Sequence, residues 1–274
     1  MTDVTVNGTT LYYTETGQGP TTLVMHGGLG VDHTTYRGLD MFADRLRLVY
    51  YDHRHNGRSG RPPLDTLTME QLADDAAALA THVAHEPVIV IGHSYGGFIA
   101  QEFALRHPGL VRALILVDTT AGQLGSGEDP NAYQGPPPPD EWVAIVSDPP
   151  ADDAEMAKVF PDLLPFYLRP GADPAAAREA MADTIYSAEA AGRSMQVLAQ
   201  WSSFDRLARI TVPTLVLVGA HDVITSPPQA LRIADHVPNS TLVEFASSGH
   251  FPWIEEPERF NEVVRSFLST AARG

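Results

Sequence analysis

The chain has 274 residues, 43% of them hydrophobic and 19% charged, and its formal net charge is −16. This composition is typical of a globular protein, and the absence of cysteine excludes disulfides, zinc–thiolate sites, iron–sulfur clusters and a cysteine nucleophile. A chain this acidic repels phosphate groups, so we expect neither nucleic acid nor an anionic membrane as a partner. Residues 1–8 lack the features of a signal peptide and no apolar stretch is long enough to span a bilayer, so we expect a cytoplasmic protein.

Short apolar runs alternate with helix patterns along most of the chain, which predicts a mostly parallel β-sheet covered by helices on both faces. A hairpin opens the chain, because Asn7-Gly8 is typical of a type I′ turn between two β-like runs. The predicted strands are Val4–Val6, Thr10–Thr14, Thr22–Met25, Leu46–Tyr51, Val88–Ile91, Leu114–Val117, Leu215–Val218 and Thr241–Phe245, and the predicted helices are Thr68–His85, Phe98–Leu105 and Pro257–Leu268.

Residues 119–205 interrupt this alternation. They contain no strong β-run, and they carry 11 of the chain's 22 prolines and an excess of acidic residues. Their aromatic residues supply apolar area that disordered segments usually lack, although a disordered insertion is the alternative interpretation. We therefore predict a helical cap at 119–205, inserted into a core domain formed by 1–118 and 206–274.

The sequence Gly92-His93-Ser94-Tyr95-Gly96 matches the G-x-S-x-G pattern of a nucleophile elbow. The pattern alone is weak, but here it follows an apolar strand and precedes a helix, the setting that exposes the serine hydroxyl at the sheet edge. The residues two before and two after the serine must be small because the turn is sharp, and both are glycine. We predict that Ser94 is the nucleophile.

A general base and an acid to orient it follow in the chain order that this arrangement requires, serine then acid then histidine. Asp222 comes just after the seventh predicted strand, and His250 comes just after the eighth. We predict that Asp222 orients His250, which takes the proton from Ser94. Asp118, at the end of the sixth strand, is the alternative acid.

A glycine-rich loop, Gly27–Gly30, follows the third predicted strand. Glycines let the backbone approach a substrate closely and point an N–H group at a developing oxyanion. We predict the backbone N–H groups of Gly28 and Tyr95 as the oxyanion donors. For His26, a structural hydrogen bond at the strand end is the favoured interpretation.

These motifs resemble those of the α/β-hydrolase superfamily along nearly the whole chain, and within it those of the proline-iminopeptidase-like and carboxylesterase group. The resemblance rests on residues 24–30, 51–59, 92–97, 219–222 and 249–250. It implies the α/β-hydrolase fold, an eight-stranded, mostly parallel sheet flanked by helices with a helical cap inserted after the sixth strand. It also implies the triad Ser94, Asp222 and His250.

Three departures from the iminopeptidase pattern move the expectation toward carboxylesterases and lactonases. Leu29 stands where iminopeptidases usually have proline, the elbow reads Gly-His-Ser-Tyr-Gly instead of Gly-Gly-Ser-Trp-Gly, and Asp52–His55 replaces their Asp-Gln-Arg-Gly. Dehalogenases and epoxide hydrolases of this fold use an aspartate nucleophile, so Ser94 excludes them.

The sequence therefore predicts a serine hydrolase that cleaves small esters or lactones and needs neither a cofactor nor a metal ion. Two alternatives remain: an iminopeptidase-type aminopeptidase, in which Glu189 would hold the substrate's ammonium group, and a protein of this fold that binds a ligand but turns over slowly. The expected partner is a small ester, lactone or amide, and the oligomeric state is left open. The candidate pocket residues are Leu29, Tyr36, Trp142, Phe166 and Glu189.

Overall fold

An eight-stranded sheet lies at the centre of the computed structural model, which describes residues 2–122, 140, 143, 147 and 150–271. The strands are β1 (Thr2–Val6), β2 (Thr9–Thr16), β3 (Thr21–Met25), β4 (Arg47–Tyr51), β5 (Val88–His93), β6 (Val111–Val117), β7 (Thr214–Gly219) and β8 (Ser240–Phe245). Their spatial order is β1-β2-β4-β3-β5-β6-β7-β8. Strand β2 is antiparallel to both neighbours and every other pair is parallel, which confirms the predicted fold.

The first hairpin has the turn that its sequence predicts. Asn7 and Gly8 both have positive φ, 45° and 76°, as a type I′ turn requires. Val6 pairs with Thr9 directly across the turn. This turn joins the two strands that form one edge of the sheet.

Helices follow most strands and lie in chain order as α1 (Met69–Val83), α2 (Tyr95–Arg106), α3 (Asp153–Tyr167), α4 (Ala175–Ala180), α5 (Ala188–Leu198), α6 (Pro227–His236), α7 (Pro252–Glu255) and α8 (Pro257–Ala271). Helix α1 begins where predicted, because the Thr68 side chain accepts a hydrogen bond from the Gln71 N–H group and caps it. None of the helices within the described ranges has both the length and the apolar character needed to cross a bilayer.

Two apolar cores lie on opposite faces of the sheet. Successive residues of β5 alternate between them: Val90 packs with one core, and Ile89 and Ile91 pack with the other. Helices α1 and α2 contribute side chains to the first core, while α8 contributes Phe260 and Val264 to the second. A central strand buried on both faces must be largely apolar, which is why the predicted strands Val88–Ile91, Leu114–Val117 and Leu215–Val218 read as continuous apolar runs.

The segment between β6 and β7 contains α3, α4 and α5 and no strand among its described residues. Two prolines, Pro161 and Pro165, lie inside α3. The Ser187 N–H group donates a 2.8 Å hydrogen bond to the carbonyl of Gly30, so the residue that caps α5 lies directly against the glycine-rich loop after β3. The division of the chain into a cap and a core domain stays a prediction.

Candidate active site

Ser94 lies in the sharp turn between β5 and α2. Its backbone has φ 50° and ψ −116°, a conformation that residues with a side chain rarely adopt. The Ser94 N–H group donates to the Val117 carbonyl at 3.0 Å, and the Ser94 carbonyl accepts hydrogen bonds from the Gly97 N–H group and the Thr119 hydroxyl. The surrounding structure therefore imposes the strained conformation on Ser94.

The turn is also crowded, as the sequence pattern implies. A Cβ atom on Gly96 would lie 2.0 Å from the Met25 carbonyl oxygen, and one on Gly92 would lie 2.6 Å from the Gly96 carbonyl oxygen. Both neighbours are backbone atoms that cannot rotate away. The structure thus explains why glycine stands two residues before and two residues after Ser94.

We expect Ser94→Gly to raise the free energy of unfolding by about 1 kcal/mol, because glycine adopts this conformation without steric strain, which offsets its greater freedom in the unfolded chain. Urea denaturation measures the change. Ser94→Ala, which keeps the strain, should stay within about 0.5 kcal/mol of the original protein. An equal stability of the glycine and alanine variants would mean that the turn stores no strain.

His250 and Asp222 form a buried pair at the same edge of the sheet as Ser94. His250 Nδ1 lies 2.9 Å from Asp222 Oδ2, and both side chains are almost fully buried. Because the carboxylate can only accept, Nδ1 carries the proton. The other ring nitrogen, Nε2, then keeps a lone pair with which it can take a proton from a hydroxyl group.

Four donors converge on Asp222. The Ile224 and Thr225 N–H groups bind Oδ1 at 2.8 and 3.1 Å, and the Thr225 hydroxyl binds Oδ2 at 2.7 Å beside His250 Nδ1. Burial alone would raise the pKa of Asp222, but the adjacent His250 and these hydrogen bonds outweigh it and hold the pKa well below its usual range. Asp222 is therefore the ionised partner of His250.

Asp118, the alternative acid, lies beside this pair. Its ligand atoms and those of Asp222 and His250 are all within 4.8 Å of one another. Among the described residues, the Gly219 N–H group donates a hydrogen bond to Asp118 Oδ1 at 2.8 Å. Burial and the charge of Asp222 raise the pKa of Asp118 well above its usual range. Of the two carboxyl groups, Asp118 is therefore the one that takes up a proton more readily.

The glycine-rich loop after β3 is held in place through His26. His26 Nδ1 lies 3.1 Å from the Gly27 carbonyl oxygen, and His26 Nε2 lies 3.1 Å from the His53 backbone nitrogen. The His53 N–H group donates to Nε2, so Nδ1 carries the proton and donates to Gly27. Gly28 has φ 67°, which favours glycine at that position. His26 thus has the structural role that its position predicts.

A cavity of about 440 Å³ lies above these groups. It is lined by Ser94, His250, Gly28 and Tyr95. The other lining side chains are mostly apolar and come both from the elements around the sheet edge and from the segment between β6 and β7. Its other lining residues are Leu29, Val31, Thr35, Tyr36, His93, Phe98, Pro150, Met156, Val159, Phe160, Leu163, Tyr167, Met181, Ala191, Gly192, Met195, Gln196, Leu198, Ile224, Thr225 and Phe251. Over the described part of the chain, no aspartate, glutamate, lysine or arginine lines it.

A comparison with known protein families identifies the family. The family model of the alpha/beta hydrolase fold matches residues 20–257. The chain belongs to the alpha/beta hydrolase fold family. The elbow serine, the buried histidine–aspartate pair and the cavity above them occupy the carboxyl edge of the sheet of this alpha/beta hydrolase.

Its relatives are hydrolases of several kinds. RutD of Caulobacter sp. (strain K31), named as a candidate carbamate hydrolase, is 28% identical, with 99% of this chain and 100% of the relative covered. A thermophilic esterase from Thermogutta terrifontis has a TM-score of 0.79 at 26% identity, with 99% of each chain covered. Est816, described as an N-acyl homoserine lactone degrading enzyme, has a TM-score of 0.77 at 25% identity, with 97% and 100% covered. This alpha/beta hydrolase is a hydrolase in activity as well as in fold.

The candidate pocket residues of the sequence analysis divide into three groups. Leu29 and Tyr36 line the cavity. Phe166 and Glu189 do not: the neighbouring Tyr167 lines the cavity, and Glu189 is an exposed residue of α5, so a pocket role for these two residues stays a prediction. Trp142 lies outside the described residues.

Several cavity residues escaped sequence reasoning because they come from α3 and α5, which carry no motif. Tyr167 is the clearest case: its carbonyl accepts a 2.6 Å hydrogen bond from the His250 N–H group, and its ring lies 5.4 Å from the His250 ring. Thr225, which donates to Asp222, follows the acid by three residues. The sequence signal for Thr225 is a hydroxyl residue in the turn that follows the acid, where its side chain can bind the carboxylate.

A second group of close acidic and imidazole side chains, Asp32, His33 and Asp52, has the spacing of a metal-binding cluster. Asp52 Oδ1 lies 2.6 Å from His33 Nδ1, and Asp52 Oδ2 accepts from the Arg58 N–H group at 2.8 Å. Asp32 accepts from the Thr34 N–H group and hydroxyl. All three side chains thus have hydrogen-bond partners, and the bond between His33 and Asp52 joins the loops after β3 and β4.

Proposed function

We propose that this alpha/beta hydrolase cleaves small, uncharged carboxylic esters or lactones through an acyl-enzyme. The observation that carries the proposal is the cavity, which joins Ser94 and His250 to an apolar surface without a charged side chain among the described lining residues. An esterase at TM-score 0.79 and a lactone-degrading enzyme at TM-score 0.77 support it.

The first half of the reaction forms the acyl-enzyme. His250 Nε2 takes the proton of the Ser94 hydroxyl, and the serine oxygen attacks the ester carbonyl carbon. Backbone N–H groups of Gly28 and Tyr95 stabilise the negative charge on the former carbonyl oxygen. His250 then gives its proton to the leaving alcohol, the carbon–oxygen bond breaks, and the acyl group stays on Ser94.

The second half releases the acid. His250 takes a proton from water, the resulting hydroxide attacks the acyl carbon, and the acyl–serine bond breaks as Ser94 regains its proton. Throughout both halves Asp222 holds the His250 ring in the correct tautomer and stabilises its cation. With a lactone, the leaving alcohol and the acid remain parts of one molecule.

The lack of charged side chains along the described lining of the cavity favours an esterase or lactonase over an aminopeptidase. An aminopeptidase must pair the substrate's ammonium group with a buried carboxylate, because an unpaired buried charge costs several kcal/mol. Glu189, the carboxylate that the sequence analysis assigned to this role, is exposed and does not line the cavity. The same absence of charged groups along the described lining disfavours substrates that carry a free carboxylate near the scissile bond.

Three p-nitrophenyl esters of similar acyl length and identical leaving group test this charge preference directly. They are the butyrate, the succinate half-ester, which is an anion, and the 4-aminobutyrate, which is a cation. We expect kcat/KM for the butyrate to exceed that for each charged ester by at least about 100-fold, equal to about 2.7 kcal/mol of transition-state discrimination. Prolyl p-nitroanilide should be turned over more slowly still.

Glu189→Gln is the matched control. Because Glu189 is exposed and outside the cavity, the substitution should change kcat/KM for all three esters by less than about twofold. A robust prolyl arylamidase activity that Glu189→Gln removes would instead establish the iminopeptidase alternative. Stoichiometric binding of these esters without turnover would establish the slow ligand-binding alternative.

A further inference from the structure

Three buried hydrogen bonds outside the catalytic pair run between the loops that carry the reaction. The Gly27 N–H group donates to Tyr36 Oη at 2.7 Å. Tyr36 Oη is hydrogen-bonded to His93 Nδ1, and His93 Nε2 lies 2.8 Å from the His250 carbonyl oxygen. All of these side chains are at most 5% exposed.

Only one pattern of protons satisfies the whole chain of bonds. The His250 carbonyl can only accept, so His93 Nε2 carries the proton and Nδ1 is a bare acceptor. The Tyr36 hydroxyl therefore donates to Nδ1, and its oxygen accepts from Gly27. Burial holds the pKa of His93 well below and that of Tyr36 well above the usual range, so both side chains stay neutral and the direction of the bonds is fixed.

Three members of this chain of bonds are reacting groups or are next to one in the sequence. Gly27 precedes Gly28, whose N–H group is a proposed oxyanion donor; His93 precedes Ser94; and His250 is itself the proposed base. A Cβ atom on Gly27 would lie 2.6 Å from both Tyr36 Oη and His93 Nδ1, so these polar atoms pack directly against the loop.

Gly27 is thereby held through both of the peptide groups that meet at its Cα atom. Its N–H group belongs to the His26–Gly27 peptide and its carbonyl to the Gly27–Gly28 peptide. The Gly27 carbonyl accepts from His26, and the Gly27 N–H group donates to Tyr36. In a trans peptide the carbonyl and the following N–H group point in opposite directions, so fixing the Gly27 carbonyl also fixes the Gly28 N–H group. Oxyanion stabilisation depends on donors that are aimed before the charge develops.

We propose that Tyr36 and His93 are positioning residues, which fix the loop after β3 against the elbow and the His250 loop so that the Gly28 N–H group is aimed at the oxyanion. The inference rests on the proposed function, because it assigns a role within that reaction. Neither side chain exchanges a proton with the substrate. The two residues therefore increase the stability of the tetrahedral intermediate and do not change the affinity for the ester.

Tyr36→Phe removes the hydroxyl and keeps the ring that packs against His93 and Trp253. We expect kcat on p-nitrophenyl butyrate to fall about 10- to 100-fold with KM within about twofold, since one misaimed oxyanion donor costs less than a deleted one. Rates are referred to active sites titrated with a fluorophosphonate. Affinity for an alkyl trifluoromethyl ketone, which forms a tetrahedral adduct with the serine, should fall by the same factor, while affinity for the matching methyl ketone should not.

Tyr50→Phe is the matched control for lost stability alone. Tyr50 is also buried, and its hydroxyl donates at 2.9 Å to Asp40, a residue of the same short helix as Tyr36; neither Tyr50 nor Asp40 lines the cavity. Both variants should lower the melting temperature, but Tyr50→Phe should leave kcat per titrated site unchanged. His93→Gln, whose amide offers one acceptor and one donor, should retain more activity than His93→Leu.

Three outcomes overturn the proposal: a Tyr36→Phe kcat within twofold of the original, an unchanged trifluoromethyl ketone affinity, or equal activity of His93→Gln and His93→Leu. If Tyr36→Phe does not fold, the two His93 variants decide. Failure of the original protein to react with the fluorophosphonate or to hydrolyse any ester would instead overturn the proposed function itself.

Discussion

Replacing Ser94 with alanine should lower kcat for p-nitrophenyl butyrate by at least about 10⁴-fold, because the variant lacks the oxygen atom that attacks the carbonyl. Water must then attack the ester directly, and only the oxyanion donors and substrate binding remain to stabilise that transition state. The fold should persist, since Ser94 donates no side-chain hydrogen bond on which the described packing depends and alanine fits the same turn. Circular dichroism and the melting temperature check the fold.

Covalent labelling gives a second measure of the same prediction. A fluorophosphonate should modify the original protein at Ser94 and at no other serine, as peptide mass spectrometry would show, and should leave Ser94→Ala unmodified. Residual esterase activity within tenfold of the original, in protein purified free of contaminating esterases, would remove Ser94 from the role of nucleophile.

Asp222→Asn should cut kcat by about 10⁴-fold with little change in KM. The carboxylate accepts from His250 Nδ1 and Thr225 on one oxygen and from two backbone N–H groups on the other. An asparagine amide must turn its NH₂ group toward one of these sets. If it faces His250, the imidazole is forced into the tautomer whose Nε2 carries the proton and cannot act as a base.

Asp118→Asn is the partner experiment. The pKa of Asp118 is raised by burial and by the charge of Asp222, so a neutral amide suits this position better than a second carboxylate would, and asparagine tolerates the φ of 43° there. We expect kcat within about tenfold of the original. If Asp118→Asn instead proves the more damaging change, the acid of the triad lies at the end of β6, and the assignment of Asp222 is wrong.

The sheet could be predicted from sequence because its physical requirement is local. The central strands are buried on both faces and so read as apolar runs, while the edge strands are recognised by their turn and their β-forming residues. Each of the eight predicted runs falls within a strand or overlaps it closely. Helix α6 was missed, because Ser226-Pro227-Pro228 reads as a loop. Here the first proline occupies the first helical turn, where its missing N–H group costs nothing.

The candidate site could be predicted only where chain order constrains it. Ser94, Asp222 and His250 each follow a strand, so the sheet brings them to one edge and the structure places all three around the same region. The directions in which Glu189 and Phe166 face cannot be predicted from the sequence, because they depend on how α3 and α5 pack over the sheet, which is a long-range property. Tyr36 and His93 are 57 residues apart, and nothing in the sequence reveals that they meet.

The hydrogen bond from Ser187 to the Gly30 carbonyl bears on how such a protein diversifies. The donor is a backbone N–H group, so any residue except proline can supply it. Side chains on α3 and α5 can therefore change while this hydrogen bond is kept. Substitutions in α3 and α5 can therefore change the substrate-binding surface of the cavity without changing the position of the glycine-rich loop, which carries the proposed oxyanion donor. Chimeras that graft the 119–205 segment of a relative onto this scaffold should stay active when the graft preserves that single donor, and proline at 187 is the change that a library designer should omit.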